Sequence, residues 1–581
     1  MKIGPAFGDY IRLEKSQRHP GNFDKSYSVR SYILPAILIV AVILITARLF
    51  SLQIIKGESF RNLSDSNRTK TIPIHAPRGI IFDRSGVSLV FNVPGFREVP
   101  VGTSLGNGET KLIGKDEALK LLSEGKTNLE IDSLRNYPYK EAISHVLGYI
   151  GQISAEELKD KNFVNYKGGD LIGKIGIERE YENKLAGTNG KELVEINSLG
   201  KVVRKLGLTD PVPGQNITLT LDIALQNAVY DAAKDVKRGA IIVSNPKGEI
   251  LALVSKPAFD PNLFTMGAGY FADESSSYES VSQILLDSEN QPLLNRAIGG
   301  TYPPGSTFKL IVAAAGLEDK VIDRNFTIED TGILRIGDFS FSNWYFTQYG
   351  KTDGSINVIK AIQRSNDIFF YKLAELVGVD KLSTFADKFG LGKKLGIDLA
   401  GEEEGTVPTE EWKKDVIGEQ WYLGDTYHYG IGQGFLLTTP LQVNYWTQVI
   451  ANAGVGYAPH LLKNPKFEIR NSKFLSGETV SLIKEGMVEA CSPGGVAWPL
   501  FNFKIKNQKS NLKDEEEIKI VCKTGTAQHG GEETLPHAWI TLFAPAEKPE
   551  IIITVLSEAS GEGSNIAAPI AKKVLEEWFG R

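Results

Sequence analysis

The chain is poor in cysteine, since its 581 residues include only Cys491 and Cys522. Two cysteines exclude a disulfide scaffold, and they argue against a structural zinc site. An oxidising compartment would allow one bridge between them, but we expect two separate buried thiols. His529 and His537 are candidate metal ligands, yet no further ligand stands at zinc spacing. We therefore expect no metal site and no cofactor.

The sequence also lacks a strong excess of either charge. Lys and Arg number 65 against 70 Asp and Glu, which gives a net charge of -5 over 581 residues. So small a net charge argues against a nucleic-acid surface. The hydrophobic content of 42% and the charged content of 23% are ordinary for folded proteins, and the length exceeds that of one domain.

Long hydrophobic runs are absent with one exception. The run extends from Tyr32 to about Ile55 and is interrupted mainly by Arg48 and Gln53, so it is long enough to cross a bilayer. A long tail precedes it and no small-residue cleavage site follows, which favours an anchor over a cleaved signal. Positive charge is nearly equal on its two sides and does not orient it. The prediction is a tail over 1–31 and one transmembrane helix over 32–55.

The sequence does contain three short motifs in a fixed order. They are Ser306-Thr307-Phe308-Lys309, Ser365-Asn366-Asp367 and Lys523-Thr524-Gly525. A serine and a lysine three residues apart occur by chance in many proteins, whereas the three motifs together are specific. The set is typical of enzymes that transfer an acyl group through a serine ester.

The residue types suit that chemistry. Ser306 and Lys309 would share one face of a helix, and Pro304-Gly305 predicts that the helix begins just ahead of them. Free N–H groups at a helix start favour developing negative charge. A serine hydroxyl needs a base, and burial together with a second cation such as Lys523 would lower the pKa of a lysine far enough. Gly525 would leave room for a substrate backbone beside its strand.

Segments outside the motifs extend the pattern over almost the whole chain. They are residues 76–84, 173–178, 248–252, 295–297, 430–434, 439–442 and 537–539. With the motifs, they make the chain resemble the class B penicillin-binding proteins, most of all their elongation-type members, the penicillin-binding protein 2 group. One block departs from that group, because residues 349–354 lack the histidine of its Gly-His-Gly sequence.

The resemblance implies a role for each residue of the first two motifs. Ser306 would be the acylated nucleophile and Lys309 its general base. Ser365 would pass a proton to the leaving amine. Asp367 stands where the family carries Asn or Asp.

For the third motif, the resemblance implies substrate binding. Lys523 and Thr524, helped by Thr526, would hold the terminal carboxylate of the substrate, beside Gly525. The backbone N–H groups of Ser306 and Thr526 would form the oxyanion hole.

The implied function is that of a peptidoglycan D,D-transpeptidase that cross-links stem peptides ending in D-alanyl-D-alanine during cell elongation, with β-lactams as inhibitors. A D,D-carboxypeptidase, a β-lactam-hydrolysing or sensing membrane protein and a division-type transpeptidase remain alternatives. The resemblance also implies partners, namely a multi-pass glycosyltransferase that polymerises glycan and other elongation proteins. It further implies an N-terminus in the cytoplasm and a catalytic domain outside the cytoplasmic membrane.

The part after the span divides at Pro211-Val212-Pro213-Gly214, a linker signal. Residues 56–214 carry no constellation for chemistry and are predicted as an elongated, non-catalytic pedestal of the dimerisation type. Residues 215–581 are predicted as the transpeptidase domain. Hairpins within 240–254 and 538–556 and a final helix over 566–579 predict an antiparallel sheet flanked by helices, an α+β penicillin-recognising transpeptidase fold.

Overall fold

The computed structural model describes residues 30–98, 111–126, 129–197, 202–267, 269–464, 471–506, 515–531 and 534–580. The chain forms two compact units. The first comprises Met1–Ile72 and Glu192–Leu208, and the second Pro73–Lys191 and Thr209–Arg581. The predicted tail falls almost wholly outside the described residues.

The N-terminal part of the chain alternates short helices and strands. Its helices are α1 (Arg30–Phe50), α2 (Gly57–Arg68), α3 (Lys115–Ser123), α4 (Ser144–Leu147), α5 (Gly176–Glu180) and α6 (Glu182–Leu185). Its strands are β1 (Thr69–Ile74), β2 (Ile81–Phe82), β3 (Ser88–Glu98), β4 (Lys111–Ile113), β5 (Leu129–Asn136), β6 (Ile150–Gln152), β7 (Leu171–Gly173), β8 (Gly190–Ile196), β9 (Val202–Thr209) and β10 (Ile217–Thr218).

The first unit contains the predicted span. Helix α1 continues through a π-helical turn over Ser51–Ile55, and Tyr32–Ile55 is apolar enough to cross a membrane, with a mean hydropathy of 2.6. None of that stretch is buried inside the protein, as expected for side chains that face lipid. The predicted helix is therefore confirmed in its position along the chain.

The C-terminal part carries the three motifs. Its helices are α7 (Ile223–Ala232), α8 (Asn262–Thr265), α9 (Val281–Leu286), α10 (Lys309–Glu318), α11 (Trp344–Tyr349), α12 (Val358–Arg364), α13 (Asp367–Val377), α14 (Val379–Lys388), α15 (Glu410–Trp412), α16 (Leu423–Gly430), α17 (Pro440–Ala451), α18 (Gly477–Ala490) and α19 (Ala567–Phe579). Its strands are β11 (Gly239–Ser244), β12 (Ile250–Lys256), β13 (Ile328–Asp330), β14 (Ile333–Ile336), β15 (Phe339–Ser342), β16 (Gly354–Ile356), β17 (Val455–Tyr457), β18 (Asn471–Lys473), β19 (Lys504–Lys506), β20 (Glu515–Glu517), β21 (Val521–Ala527), β22 (His537–Ala544) and β23 (Ile551–Ser557).

An antiparallel sheet of five strands, in the order β12-β11-β23-β22-β21, forms the centre of the C-terminal part. Because side chains alternate along a strand, neighbouring residues join different cores. Trp539 and Leu556 pack with α10 and α17 on one face, whereas Ile540 and Val555 pack with α7 and α19 on the other. Helices thus cover both faces, and the predicted α+β fold is confirmed.

The two cysteines differ from the expectation. Cys491, just after α18, and Cys522, in β21, form a disulfide with a Cα–Cα distance of 6.0 Å. The expectation of two separate thiols was therefore wrong. Sequence alone could not bring them together, because their meeting depends on how α18 packs against β21.

Candidate active site

The first motif lies in a tight turn ahead of α10. Gly305–Thr307 form a single 3₁₀ turn, and the Phe308 N–H bonds to the Gly305 carbonyl as the α-helix begins. Ser306 is partly exposed, whereas Lys309 is completely buried. The serine therefore stands at a helix start, as the sequence predicted, and the residue is not fully buried.

Glycines allow this turn to approach its neighbours closely. Gly305 has a φ of +54°, and a Cβ there would lie 2.9 Å from the Thr526 carbonyl oxygen. A Cβ on Gly432 would lie 2.2 Å from the Gly305 carbonyl oxygen. Any side chain at these positions would push the turn that carries Ser306 away from β21 or from the loop after α16.

Gly525 serves the same packing. A Cβ there would meet Thr307 Cγ2 at 3.0 Å, the Pro304 carbonyl oxygen at 3.1 Å and Trp539 Cβ at 3.1 Å. The space that this glycine leaves open is thus taken by the turn that carries the serine, rather than by open solvent.

The second motif occupies the junction between α12 and α13. Ser365 ends α12 in the left-handed region, with a φ of 52° and a ψ of 38°, which few residues other than glycine adopt. Asn366 then caps α13, since its side chain accepts from the Phe369 N–H, and Asp367 opens that helix. The sharp reversal points Ser365 and Asp367 toward Lys309.

Lys309 is bonded to the second motif. Its Nζ donates to Asp367 Oδ1 and to the Ser365 carbonyl oxygen, both at 2.7 Å, and lies 3.5 Å from Ser365 Oγ. Burial lowers the pKa of Lys309, while the charge of Asp367 acts in the opposite direction.

Lys523 reaches the same serine from β21. Its Nζ donates to Ser365 Oγ at 2.8 Å and to the Thr524 carbonyl oxygen at 2.9 Å, and the side chain is completely buried. Burial and the positive charge of Lys309 lower the pKa of Lys523 well below its ordinary value, against the opposing effect of Asp367. Within the described part of the chain, Lys523 forms no ion pair with a carboxylate.

Two residues that the sequence did not identify as site residues hold Asp367 in place. The Trp344 N–H donates to Asp367 Oδ2 at 2.9 Å, and Asn343 Oδ1 accepts from the Asp367 N–H at 3.2 Å. No sequence pattern could have revealed a contact through the backbone of Trp344.

The remaining residues of the third motif line the edge of the sheet. Thr524 is buried and Thr526 exposed, and β21 pairs with β22 on one side only. Thr526 Oγ1 accepts from the Gly563 N–H at 3.4 Å. Among the described strands β21 is the last of its sheet, the position at which extended peptides add to a sheet in other proteins.

Four of the predicted site residues thus form one hydrogen-bonded cluster: Lys309, Ser365, Asp367 and Lys523. Ser306 stands in the turn directly ahead of Lys309, and its Oγ makes no hydrogen bond with any residue that the structure describes. Two lysines face one carboxylate, so the cluster carries an excess of positive charge when both are protonated. It can bind an anion and can exchange protons along Ser365.

The two histidines of the third motif region stack on each other. The rings of His529 and His537 are parallel at 4.0 Å, and His537 Nδ1 accepts from the Ala559 N–H. Burial lowers the pKa of His537 to about 4, which favours its neutral form. Among the described residues, no group of three or more metal-ligating side chains stands close enough to share an ion.

Two family models match the chain. The model of the penicillin binding protein transpeptidase domain matches residues 239–576, and that of the penicillin-binding protein dimerisation domain matches residues 125–219. The first match alone covers more than half of the sequence.

Individual relatives match over nearly the full length. The chain is 34% identical to the peptidoglycan D,D-transpeptidase MrdA of Acinetobacter baumannii, over 95% of this chain and 88% of that protein. PBP2 of Helicobacter pylori, solved in complex with MreC, superposes with a TM-score of 0.71 and 30% identity over 88% of this chain and 99% of that chain. A chain from a peptidoglycan synthase complex that coordinates polymerization and crosslinking gives a TM-score of 0.69 and 29% identity over 95% and 98%.

Proposed function

Because this chain belongs to the penicillin-binding proteins and is a peptidoglycan D,D-transpeptidase of the MrdA type, which acts in cell elongation, we propose a role for each residue of its three motifs. The observation that carries the proposal is the buried cluster in which Lys309 and Lys523 share Ser365, with the partly exposed Ser306 in the turn directly ahead of Lys309.

Acylation begins at Ser306. Its Oγ attacks the carbonyl carbon between the two D-alanines of a donor stem peptide, an ester bond forms, and the peptide C–N bond breaks. Lys309, as a neutral amine, takes the hydroxyl proton. In the free protein Lys309 is bonded to Asp367 and Ser365, so the bound donor must bring Ser306 within its reach, as apo catalytic contacts often tighten only in the complex.

The leaving D-alanine receives a proton along the cluster. Ser365 Oγ lies between the two lysine amines, so it can pass a proton from Lys309 to the departing nitrogen while Lys523 holds its orientation. Asp367 stabilises the ammonium of Lys309 only until that proton reaches the leaving amine, after which Lys309 is neutral again. The amine of a neighbouring stem peptide attacks the ester, Lys309 takes a proton from that amine and returns it to Ser306 Oγ, and the C–O bond of the ester breaks as the cross-link forms.

Substrate binding uses the excess of positive charge. Lys523 has no carboxylate partner in the described part of the chain, and the terminal carboxylate of the donor takes that place. The hydroxyls of Thr524 and Thr526, on β21, lie beside the bound carboxylate. The N–H groups of Ser306 and Thr526 receive the developing oxyanion, an interaction that contributes about 3–4 kcal/mol in such enzymes. A β-lactam ring offers the same carbonyl and carboxylate, so penicillin acylates the same serine.

The proposal extends to the membrane and to domain organisation. Residues 32–55 anchor the chain in the cytoplasmic membrane, with the N-terminus in the cytoplasm and the enzyme outside, where peptidoglycan is found. Residues 56–214 serve as the pedestal and 215–581 as the transpeptidase domain, in keeping with the family matches at 125–219 and 239–576.

Partners follow from the relatives. PBP2 of Helicobacter pylori was solved with MreC, and another similar chain belongs to a complex that couples polymerization to crosslinking. We therefore propose that this chain works with a multi-pass glycosyltransferase, which supplies the glycan strands, and with an MreC-like protein.

The test is labelling of the full chain in detergent with a fluorescent penicillin. Wild type should form a covalent adduct on Ser306, and Ser306→Ala should form none. Ser383 is a buried serine outside the site, with Oγ bonded to the Pro408 carbonyl oxygen. Ser383→Ala should label like wild type, and labelling of Ser306→Ala would refute the proposal.

A further inference from the structure

Buried polar side chains behind the second motif form a second, separate set of contacts. We infer that Asp330, together with Asn343 and Asn366, is a positioning device that fixes Ser365 and Asp367 for the reaction. The inference rests on the proposed acylation of Ser306. It adds residues that touch neither substrate nor nucleophile.

Asp330 is the centre of this set. It lies at the end of β13 and is only 3% exposed. Its Oδ2 accepts from Asn343 Nδ2 at 2.9 Å, from Asn366 Nδ2 at 2.8 Å and from the Asp353 N–H at 2.9 Å. Its Oδ1 accepts from the Gly332 N–H at 2.8 Å. A buried carboxylate requires such donors, so Asp330 holds all four groups in one arrangement.

Asn366 connects Asp330 to the second motif. It stands between Ser365 and Asp367, and its side chain is completely buried. Its Oδ1 caps α13, while its Nδ2 donates to Asp330 and, at 3.1 Å, to Asp353 Oδ2. Both ends of the amide are thus fixed. The residues on its two sides have little freedom to rotate.

Ser365 needs such support because of its backbone. Its left-handed φ of 52° is unfavourable for a serine and persists only where the surroundings impose it. The residue before it is held as well, since Arg364 Nε donates to Asp353 Oδ1 at 2.9 Å and the Arg364 carbonyl accepts from Trp344 Nε1. If the support were lost, Ser365 Oγ would leave the line between Lys309 and Lys523.

Asn343 connects Asp330 to Asp367 through two hydrogen bonds. Its Nδ2 donates to Asp330, and its Oδ1 accepts from the Asp367 N–H. The next residue, Trp344, donates its own N–H to Asp367 Oδ2. The carboxylate that pairs with Lys309 is therefore oriented from the same centre that orients Ser365.

The block in which the family carries a histidine belongs to this set. Here residues 349–354 place Asp353 against Arg364, Asn366 and, through its N–H, Asp330. The departure that the sequence revealed thus coincides with a hydrogen-bonded side chain that supports the second motif.

The cleanest test is Asn366→Ser. Serine also caps a helix, so the change keeps the cap of α13 and removes only the bonds to Asp330 and Asp353. We expect the maximal rate of acylation by a fluorescent penicillin to fall by about 10- to 100-fold, because small misplacements of reacting groups are that costly. The concentration for half-maximal acylation should change little, since the binding groups on β21 are untouched.

Asn357→Ser is the matched control. Asn357 caps α12 in the same way, accepting from the Lys360 N–H, and its Nδ2 bonds at 3.3 Å to the Arg324 carbonyl. That variant should acylate like wild type. If wild type is labelled on Ser306 and Asn366→Ser is labelled equally fast, the inference is wrong while the proposed function stands. If wild type itself is not labelled, the proposed function fails.

A double-mutant cycle separates positioning from general damage. The double variant Asp330→Asn with Asn366→Ser should acylate no more slowly than the slower of the two single variants. Both substitutions disrupt the same hydrogen bond, from Asn366 Nδ2 to Asp330 Oδ2. Asp398 is a comparable buried carboxylate that accepts from the Leu461 and Leu462 N–H groups and from Tyr181. Asp398→Asn should combine multiplicatively with Asn366→Ser. Multiplicative behaviour of Asp330→Asn would overturn the inference, and if that variant does not fold, Asn366→Ser and its control decide alone.

Discussion

Two buried groups of charged side chains in the second compact unit differ in one respect, the balance of charge. In the first, here called the pedestal cluster, Arg78 and Arg135 meet Glu178 and Glu182 at distances of 2.6–2.7 Å. In the second, the active-site cluster, Lys309 and Lys523 meet the single carboxylate of Asp367. Burial is nearly complete in both.

The balance of charge decides what burial does to the pKa values. In the pedestal cluster, burial opposes the charged forms, but the partners outweigh it, so the pKa of Arg78 is raised and that of Glu178 lowered. In the active-site cluster, burial prevails, and the pKa values of both lysines are lowered. Paired charges therefore keep their charged forms, whereas the surplus lysine of the active-site cluster has the lowered pKa and the unpaired charge that the proposed function requires for a base and for binding of the substrate carboxylate.

The largest effect is expected from removing the base. Lys309→Met keeps the volume of the side chain and should lower the acylation rate by about 10²–10⁴-fold, because the hydroxyl of Ser306 loses its proton acceptor. Drug binding before acylation should persist. The rate of fluorescent penicillin labelling measures the effect.

The matched control is Lys413→Met. Lys413 is similarly buried, at 2% exposed. Its Nζ pairs with Asp425 Oδ2 at a distance of 2.7 Å, and the pair does not involve the three motifs. The Lys413→Met variant should be less stable than wild type and should acylate at the wild-type rate. Labelling of Lys309→Met at the wild-type rate would move the base role to another residue.

Breaking the pedestal cluster should lower the stability of the protein and leave its acylation rate unchanged. Glu178→Ala leaves two buried arginines short of an anion, so we expect a loss of about 3–5 kcal/mol in the free energy of unfolding. Thermal unfolding of the full chain in detergent measures it. The acylation rate of the folded protein should not change.

Glu157→Ala is the comparison for that variant. Glu157 pairs with Lys174 and Arg179 nearer the surface, where its side chain is 23% exposed. Such a partly solvated site should cost no more than about 1 kcal/mol. Equal losses for the two variants would contradict the view that burial and pairing set the strength of the pedestal cluster.

The disulfide should stabilise the strand that carries the surplus lysine. Cys522 packs on the face of β21 opposite Lys523 and ties it to the end of α18, closing a loop with a sequence separation of 31. Replacing both cysteines by alanine should cost about 2–4 kcal/mol of unfolding free energy. Reduction of wild type should give a similar loss, and reductant should not affect the variant. If the double-alanine variant unfolds at the same temperature as the oxidised wild type, packing alone holds β21.

Sequence predicted most of what is local. The hairpins at 239–256 and 537–557, the final helix and the membrane span follow from alternation, turn residues and length, which act over a few neighbours. The three motifs predicted the members of the site for the same reason, since each is a short run of residue types, and the structure brings four of the predicted residues into one hydrogen-bonded cluster.

What sequence missed depends on contacts between distant segments. Sequence predicted that Gly525 leaves room for a substrate backbone, which stays a prediction, but it did not predict that the missing side chain also makes room for Thr307 and Pro304. The ion pair of Lys309 with Asp367, the contact of Asn343 with Asp367 and the bridge between Cys491 and Cys522 each join parts of the chain 24 residues or more apart. No local pattern encodes which buried polar group will meet which.

The smallest effect expected is a shift in the pH dependence of acylation, and it tests the charge balance directly. A neutral lysine is needed as the base, so the rate should rise with pH, with a midpoint below the ordinary lysine pKa of 10.5. Asp367 favours the ammonium form of Lys309 and thereby raises its pKa, so Asp367→Asn should move the rising limb to lower pH even if it also slows the reaction. Asp425→Asn removes the nearer of the two carboxylates that pair with Lys413, and it should leave the limb in place. If the limb of Asp367→Asn stays where wild type has it, neither lysine that Asp367 influences controls the reaction, and the contrast between the paired and the unpaired cluster loses its functional meaning.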